Sequence, residues 1–401
     1  MSPAAKKIRI GMYNVGFGDA FLVRIPGKKG DRKILFDCGS IKQGDGGPID
    51  SVVDAIIEDV KDADGKPRID VVVATHRHRD HVSGFANEGW SEVEVREVWM
   101  PWTEDPADPE ARRIREAQSR LALALHEELT RIGAAADVID LAANALSNEA
   151  AMQTLHAGFG GEAVRRYLPP RDRRKRTFTA DCLPGVTIHA MGPSFDESVI
   201  TNMDPPEGKS YLQLVAAGAA DRKDPRPPFP GDWTYEGLPA GSLSAEERAI
   251  VDGIGEGDES VVAAALDGAV NGTSLVLMLQ TGRNYLLFPG DAQWGTWNMI
   301  LGDAEWTALL KKTTFLKVGH HGSHNATPRP FVDDLLPRPP RELWAMVSTI
   351  QRGSWPIPKK ELMTALATHT KRIVRSDQIP GALQGVFKPR ASLCVETEIL
   401  A

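Results

Sequence analysis

Cysteine is close to absent: Cys38, Cys182 and Cys394 stand far apart in a chain of 401 residues, with no CxxC pair. That excludes a disulfide framework and a metal site built on paired thiolates, and it favours a reducing compartment. No window approaches the roughly eighteen consecutive apolar residues of a membrane helix. Met1–Ile10 runs into a strand pattern with no apolar stretch ahead of a small-residue cleavage site, so the expectation is a cytoplasmic protein without a membrane segment. Positive charge is not in excess: the formal net charge is −7, which argues against an overall electrostatic grip on nucleic acid and leaves room for a local basic stripe. Self-similarity at periods of roughly 20 to 50 residues is missing, so solenoids and propellers are excluded.

What is present is a globular composition, 42% hydrophobic and 25% charged, which supports a packed core rather than disorder. The length exceeds that of one usual hydrophobic core, so the chain should hold two domains or one enlarged by insertions. Alternation around Ile8, Ile10 and Met12 predicts a strand, and Ala20 to Ile25 and Ile34 to Phe36 predict two more. Val52, Val53, Ile56, Ile57 and Val60 recur at helical spacing and predict a helix over 48–64. Ile69 to Ala74 is an apolar, mostly β-branched run broken only by Asp70, suited to a strand buried on both faces. Residues 94–100 predict a further strand. The stretch 102–182 reads as a helical insertion and 194–271 as a loop-rich one. Strand patterns return at Val186, Ser274, Tyr285, Phe315, Leu343, Arg372 and Ser392, with a helix near Pro358 to Thr370.

His-Arg-His-Arg-Asp-His at 76–81 follows directly on the buried strand, placing His76, His78, Asp80 and His81 on one loop that can converge in a cleft. Borderline divalent metals accept this mixture of imidazole nitrogen and carboxylate oxygen. A solvated loop that happens to be rich in these residues is the competing explanation, and the density of ligands argues against it.

His-x-His-x-Asp-His resembles the signature of the metallo-β-lactamase superfamily, and four further segments resemble one branch of it, the soluble domain of ComEC/Rec2 DNA-uptake proteins. They are Asn14 to Ala20, Phe36-Asp37-Cys38-Gly39, Phe288-Pro289-Gly290-Asp291 and Leu316 to Ser323, in the family's order. The resemblance implies a four-layer αββα sandwich spanning 1–401 as a single α/β domain that carries the two insertions. It implies two divalent metal ions, zinc first and manganese second. His76 and His78 would bind one, Asp80 and His81 the other, with Asp291 bridging and His320 completing the second site; His321 would then face substrate. His320 is preferred because related branches use the first histidine of this segment. Asp19 and Asp37 would border the site and orient ligands, Asp37 above all, since each ligating imidazole needs its other N–H held. Asp80 would orient or deprotonate water. One expected histidine is missing between the first motif and Gly290-Asp291; His156 and His189 read as structural or surface histidines, and Asn271 and Ser274 are polar substitutes.

The motifs imply hydrolysis more firmly than they imply the scissile bond. The resemblance favours a phosphodiester, DNA or a nucleotide, with Arg173, Arg174 and Arg176 in a basic tract as a phosphate-binding edge and Tyr167 as a stacking partner. Lys317 and Ser323 are placed to touch a phosphate. Rival readings are a hydrolase of small esters or lactones, and a metal-binding sensor or scaffold in a multi-protein system that docks a partner through the helical insertion and the Trp233–Tyr235 stretch.

Overall fold

The computed structural model of the chain describes residues 6–28, 30–134, 136–146, 148–203, 205–206, 208–210, 270–323, 325–350 and 357–401. Most of the loop-rich stretch, including Trp233 and Tyr235, lies outside the described residues. The rest is a mixed α/β structure of two mixed sheets packed face to face. None of its helices is long and apolar enough to cross a membrane.

The first sheet has eight strands in the order β14-β15-β1-β2-β3-β4-β5-β6. Its members are β1 (Lys7–Tyr13), β2 (Phe21–Ile25), β3 (Arg32–Phe36), β4 (Arg68–Val73), β5 (Glu94–Pro101), β6 (Val164–Leu168), β14 (Phe387–Arg390) and β15 (Cys394–Leu400). The second has seven in the order β13-β12-β11-β10-β9-β8-β7, among them β7 (Thr177–Thr179), β8 (Val186–Gly192), β9 (Val276–Thr281), β10 (Asn284–Phe288), β11 (Phe315–Lys317), β12 (Trp344–Val347) and β13 (Arg372–Arg375). From β1 to β6 the pairings run antiparallel twice and then parallel three times. From β8 to β13 the same series recurs. Two halves are therefore built on one plan.

Period-2 alternation sends Phe21, Val23, Phe36 and Val73 of the first sheet, with Leu277, Leu286, Phe288 and Met346 of the second, into one core between the sheets. Phe36 stacks on Phe288 at 3.8 Å and 6°. The opposite faces are covered by helices. Val52, Val53 and Ile56 of α1 (Ile49–Asp59) pack on Leu22, Leu35 and Val72. On the second sheet Leu287, Leu316 and Ala345 meet Trp297 and Ile300 of one helix (Trp294–Leu301) and Leu362 and Leu366 of another (Lys360–His369). Strands covered on both faces carry near-continuous apolar runs, which is why Ile69 to Val73 shows no alternation.

The stretch 102–182 is only partly an insertion. A helix over Pro109–Ile132, capped by Asp108 at its start and by left-handed Gly133 at its end, and a shorter one over Ala136–Asn144 lie between strands, while the helix over Glu149–Gln153 packs Ala151 and Met152 into the core on the outer face of the first sheet. But β6 and β7, inside the same stretch, join the first and second sheets respectively. The arginines of Val164–Leu168 hide this edge strand in the sequence; Arg166 is accommodated there because Glu97 of the neighbouring strand accepts from its Nε and Nη2, at 2.5 and 3.0 Å.

Candidate metal centre

The parallel strands of both halves point their C-terminal ends at one cleft. Asp37 follows β3, His76 to His81 follow β4, Asp291 follows β10, and His320 and His321 follow β11. Close backbone contact holds the first of these loops. The Asp19 amide donates to the Asp80 carbonyl at 2.9 Å and the Cys38 amide to the His81 carbonyl at 2.8 Å. A Cβ on Gly18 would lie 2.1 Å from the Gly39 carbonyl oxygen, and one on Gly39 would lie 2.5 Å from the His81 backbone. The two glycine-containing turns are thus needed to let three backbone segments meet.

Among the described residues, three groups of buried donor atoms converge: Asp80, His81, Asp291 and His321; His76, His78 and Asp80; and Asp19, Asp37 and His81. Their hydrogen bonds fix which nitrogens are free. His81 Nδ1 lies 2.9 Å from Asp37 Oδ2 and His321 Nδ1 lies 2.9 Å from the Ser348 carbonyl oxygen. Both partners only accept, so each Nδ1 carries the proton. The opposite nitrogens then face carboxylates: His81 Nε2 is 3.1 Å from Asp291 Oδ2, and His321 Nε2 is 3.0 Å from Asp80 Oδ2. Two acceptors cannot stay this close in a buried site unless the ring takes a second proton or a cation lies between them. The Thr75 hydroxyl donates to Asp37 Oδ2 at 2.8 Å and accepts from His76 Nδ1 at 3.1 Å, leaving His76 Nε2 to face His78 Nδ1 at 3.0 Å. Asp80 Oδ1 is buried without a hydrogen-bond partner. This donor set fits a divalent metal.

The electrostatics agree. Burial opposes a charged ring at His81, but Asp291, Asp80 and Asp37 outweigh it and hold its pKa well above the ordinary value. At His321 burial is likewise outweighed, chiefly by the bond to Asp80, and the pKa rises. Burial pushes His78 down to about 4. Asp291 would be raised by burial, but Lys317 and His81 hold it well below the usual carboxylate range. Without metal, protons on His81 and His321 take the place of the cation.

Several expectations about individual residues change. His321, not His320, joins the cluster. Both residues are left-handed, with φ of 45° and 52°, and the tight reversal turns the His321 ring inward against Phe17 at 4.3 Å. His320 stays half-buried beside the cluster. There its amide donates to Asp291 Oδ1 at 2.9 Å, its Nδ1 meets Ser323 Oγ at 3.0 Å, and its Nε2 lies 3.5 Å from Asn271 Nδ2. Lys317 does not face a substrate. It is buried against Asp19, Asp291 Oδ1 at 3.0 Å and the Gly290 carbonyl at 3.2 Å, because β11 is covered on both faces. Ser274 Oγ accepts the Asp291 amide at 3.2 Å.

Of the three arginines singled out in the basic tract, two are charge-compensated in place, and the third has no ion pair among the described residues. Arg173 bonds Asp303, Arg174 bonds Asp172 at 3.1 Å, and Arg176 lies over the Phe195 ring at 5.8 Å. Tyr167 shares a hydrogen bond with His156 at 3.1 Å, and His189 sits between Thr177 and Gln280. Among the described residues no further histidine joins the His76 group.

Sequence reasoning missed four residues. Thr75 is signalled only by its hydroxyl next to His76. Ser348 has no signal. Asn144 accepts the Asp80 amide at 3.1 Å and Asn148 donates to the Arg77 carbonyl at 2.8 Å, so the helical insertion grips the metal loop by its backbone, which no motif reveals.

No family model matches the chain. A stretch of 122 residues, 30% of the chain, is 30% identical to ComE operon protein 3 of Bacillus subtilis (strain 168). The match spans 14% of that protein's length.

Proposed function

We propose that this protein is a metal-dependent hydrolase with a metallo-β-lactamase fold, acting on phosphodiesters of DNA or nucleotides with two divalent ions. The observation that carries the reading is the pair of acceptor-to-acceptor contacts, His81 to Asp291 and His321 to Asp80, where either a second ring proton or a cation must sit and where a divalent ion would find imidazole nitrogen and carboxylate oxygen already paired. His76, His78 and Asp80 would hold one ion, and Asp80, His81, Asp291 and His321 the other. Bound there, divalent ions acidify water and neutralise charge that develops on the scissile group. The chain's own groups do the rest. Asp80 Oδ1, free of hydrogen bonds, is available to accept a hydrogen bond from water and orient it. His320, half-buried beside the cluster, would meet substrate. Lys317 fixes Asp291 Oδ1 and keeps that carboxylate ionised, leaving Oδ2 for the cleft. The five-motif resemblance to ComEC/Rec2 soluble domains and the match to ComE operon protein 3 support a phosphodiester over an ester or lactone.

The test is a substrate panel with zinc- or manganese-loaded protein: single- and double-stranded DNA, RNA, a chromogenic bis-phosphodiester and a lactone, with Asp80→Ala as control. Phosphodiester cleavage that EDTA and Asp80→Ala abolish is expected. Cleavage of the lactone alone would overturn the substrate class, and activity that survives chelation would overturn the metal chemistry.

A further inference from the structure

β10, β11 and β12 run parallel, so the ends opposite the metal cluster also lie together. The residues that lead into them, Arg283 before β10, Lys311 and Lys312 before β11 and Arg341 before β12, line a groove of about 610 Å³ with Tyr285 and Trp344. All four cations are exposed, and none forms an ion pair among the described residues. The groove's one acidic residue, Glu342, is held by Arg372 at 2.6 Å. The aromatic faces are already covered by cations, Tyr285 by Lys312 at 5.5 Å and Trp344 by Arg372 at 4.4 Å.

In a chain of net charge −7, four uncompensated cations converging from three consecutive loops repel one another and draw in anions. Guanidinium forks and ammonium groups suit phosphate oxygens. Because the rings are occupied, the groove offers recognition of phosphate rather than stacking of a base. β10 alone puts roughly 15 Å of sheet between groove and cluster, at about 3.3 Å per residue. We propose that this groove is a second, phosphate-binding site, remote from the metal centre, which takes the phosphates of a polynucleotide strand or of a free nucleotide.

The inference does not rest on the hydrolase reading, so its test is run in EDTA on the full chain, where cleavage plays no part. Binding of a fluorescein-labelled 20-nucleotide single strand is followed by anisotropy, and binding of ADP and pyrophosphate by calorimetry. The combined variant Lys311→Glu, Lys312→Glu, Arg341→Glu is compared with a control of equal charge, Lys66→Glu, Lys360→Glu, Lys388→Glu. The wild-type strand affinity should fall with salt at a log–log slope of about −3, near −0.7 for each of four neutralised phosphates. The groove variant should lose at least tenfold in affinity and part of that slope, and the control should stay within about twofold. Circular dichroism checks folding; if the triple variant does not fold, Lys311→Gln with Arg341→Gln should still weaken binding at least threefold. Strand binding without ADP or pyrophosphate binding assigns the groove to a polynucleotide, and the converse assigns it to a free nucleotide. Wild-type protein that binds none of the three ligands, or a groove variant that matches the control on all of them, overturns the proposal.

Discussion

Replacing Asp37 with asparagine should silence ligands in both halves of the metal cluster without removing one of them. Asp37 Oδ1 accepts the Thr75 amide at 2.7 Å. An asparagine there must keep its carbonyl oxygen on that amide, which turns its NH2 group toward the position of Oδ2. That group would donate to His81 Nδ1 and to Thr75 Oγ1, both of which now give their protons to Oδ2. His81 would then carry its proton on Nε2, toward Asp291. Thr75, now an acceptor from Asn, would donate to His76 Nδ1 and move that proton to Nε2 as well. One substitution flips two tautomers. Loss of a supporting hydrogen bond to a ligating histidine typically lowers metal affinity about 10- to 100-fold. With two rings affected the expected loss is about 100-fold or more, near 2.7 kcal/mol. Thr75→Val removes the support of His76 but leaves the bond between Asp37 and His81 in place, and should lose about 10-fold. Zinc affinity measured by calorimetry, together with imidazole ¹⁵N shifts that report each tautomer, tests both steps. A folded Asp37→Asn protein that binds zinc at wild-type affinity, with unchanged His76 and His81 shifts, would refute the reasoning.

Metal binding should strengthen as pH rises, because the raised pKa values of His81 and His321 mean that a metal must displace protons from both; calorimetry in buffers of different ionisation enthalpy should find about two protons released per protein, and zero release would contradict the assignment. Lys317→Met removes the cation between two buried carboxylates, Asp19 and Asp291, and should cost roughly 3–5 kcal/mol in urea unfolding of the metal-free protein. Phe288→Ala opens the middle of the inter-sheet core and should cost about 3–5 kcal/mol, measured the same way; a loss below 1 kcal/mol would mean that the two sheets are not held together there.

The elements that sequence reading places well are those whose pattern is local. Helix α1 and the strand before His76 declare themselves by periodicity and by a β-branched run, and the ligands of residues 76–81 crowd into one loop. Where the outcome depends on a partner far away, the sequence is silent. Val164–Leu168 reads as a basic tract because Arg166 is neutralised by Glu97, sixty-nine positions earlier. The helix over Trp294–Leu301 is nearly uniformly apolar and shows no amphipathic stripe. The choice between His320 and His321 turns on two left-handed backbone angles in adjacent residues of the same type, and Lys317 in a three-residue strand gives no sign that both its faces are covered.

The repeated strand plan has a mechanical consequence. Asp37 and Asp291 close equivalent strands of the two halves, with Phe36 and Phe288 stacked just beneath them, and His81 reaches one carboxylate from each half. A cation seated there is a clasp across a seam, and the aromatic stack is the hinge pin below it. Occupancy is then coupled to how the halves sit: a site filled at 100 times its dissociation constant adds about 2.7 kcal/mol to the closed seam, and any load that pries the sheets apart must first release the ion.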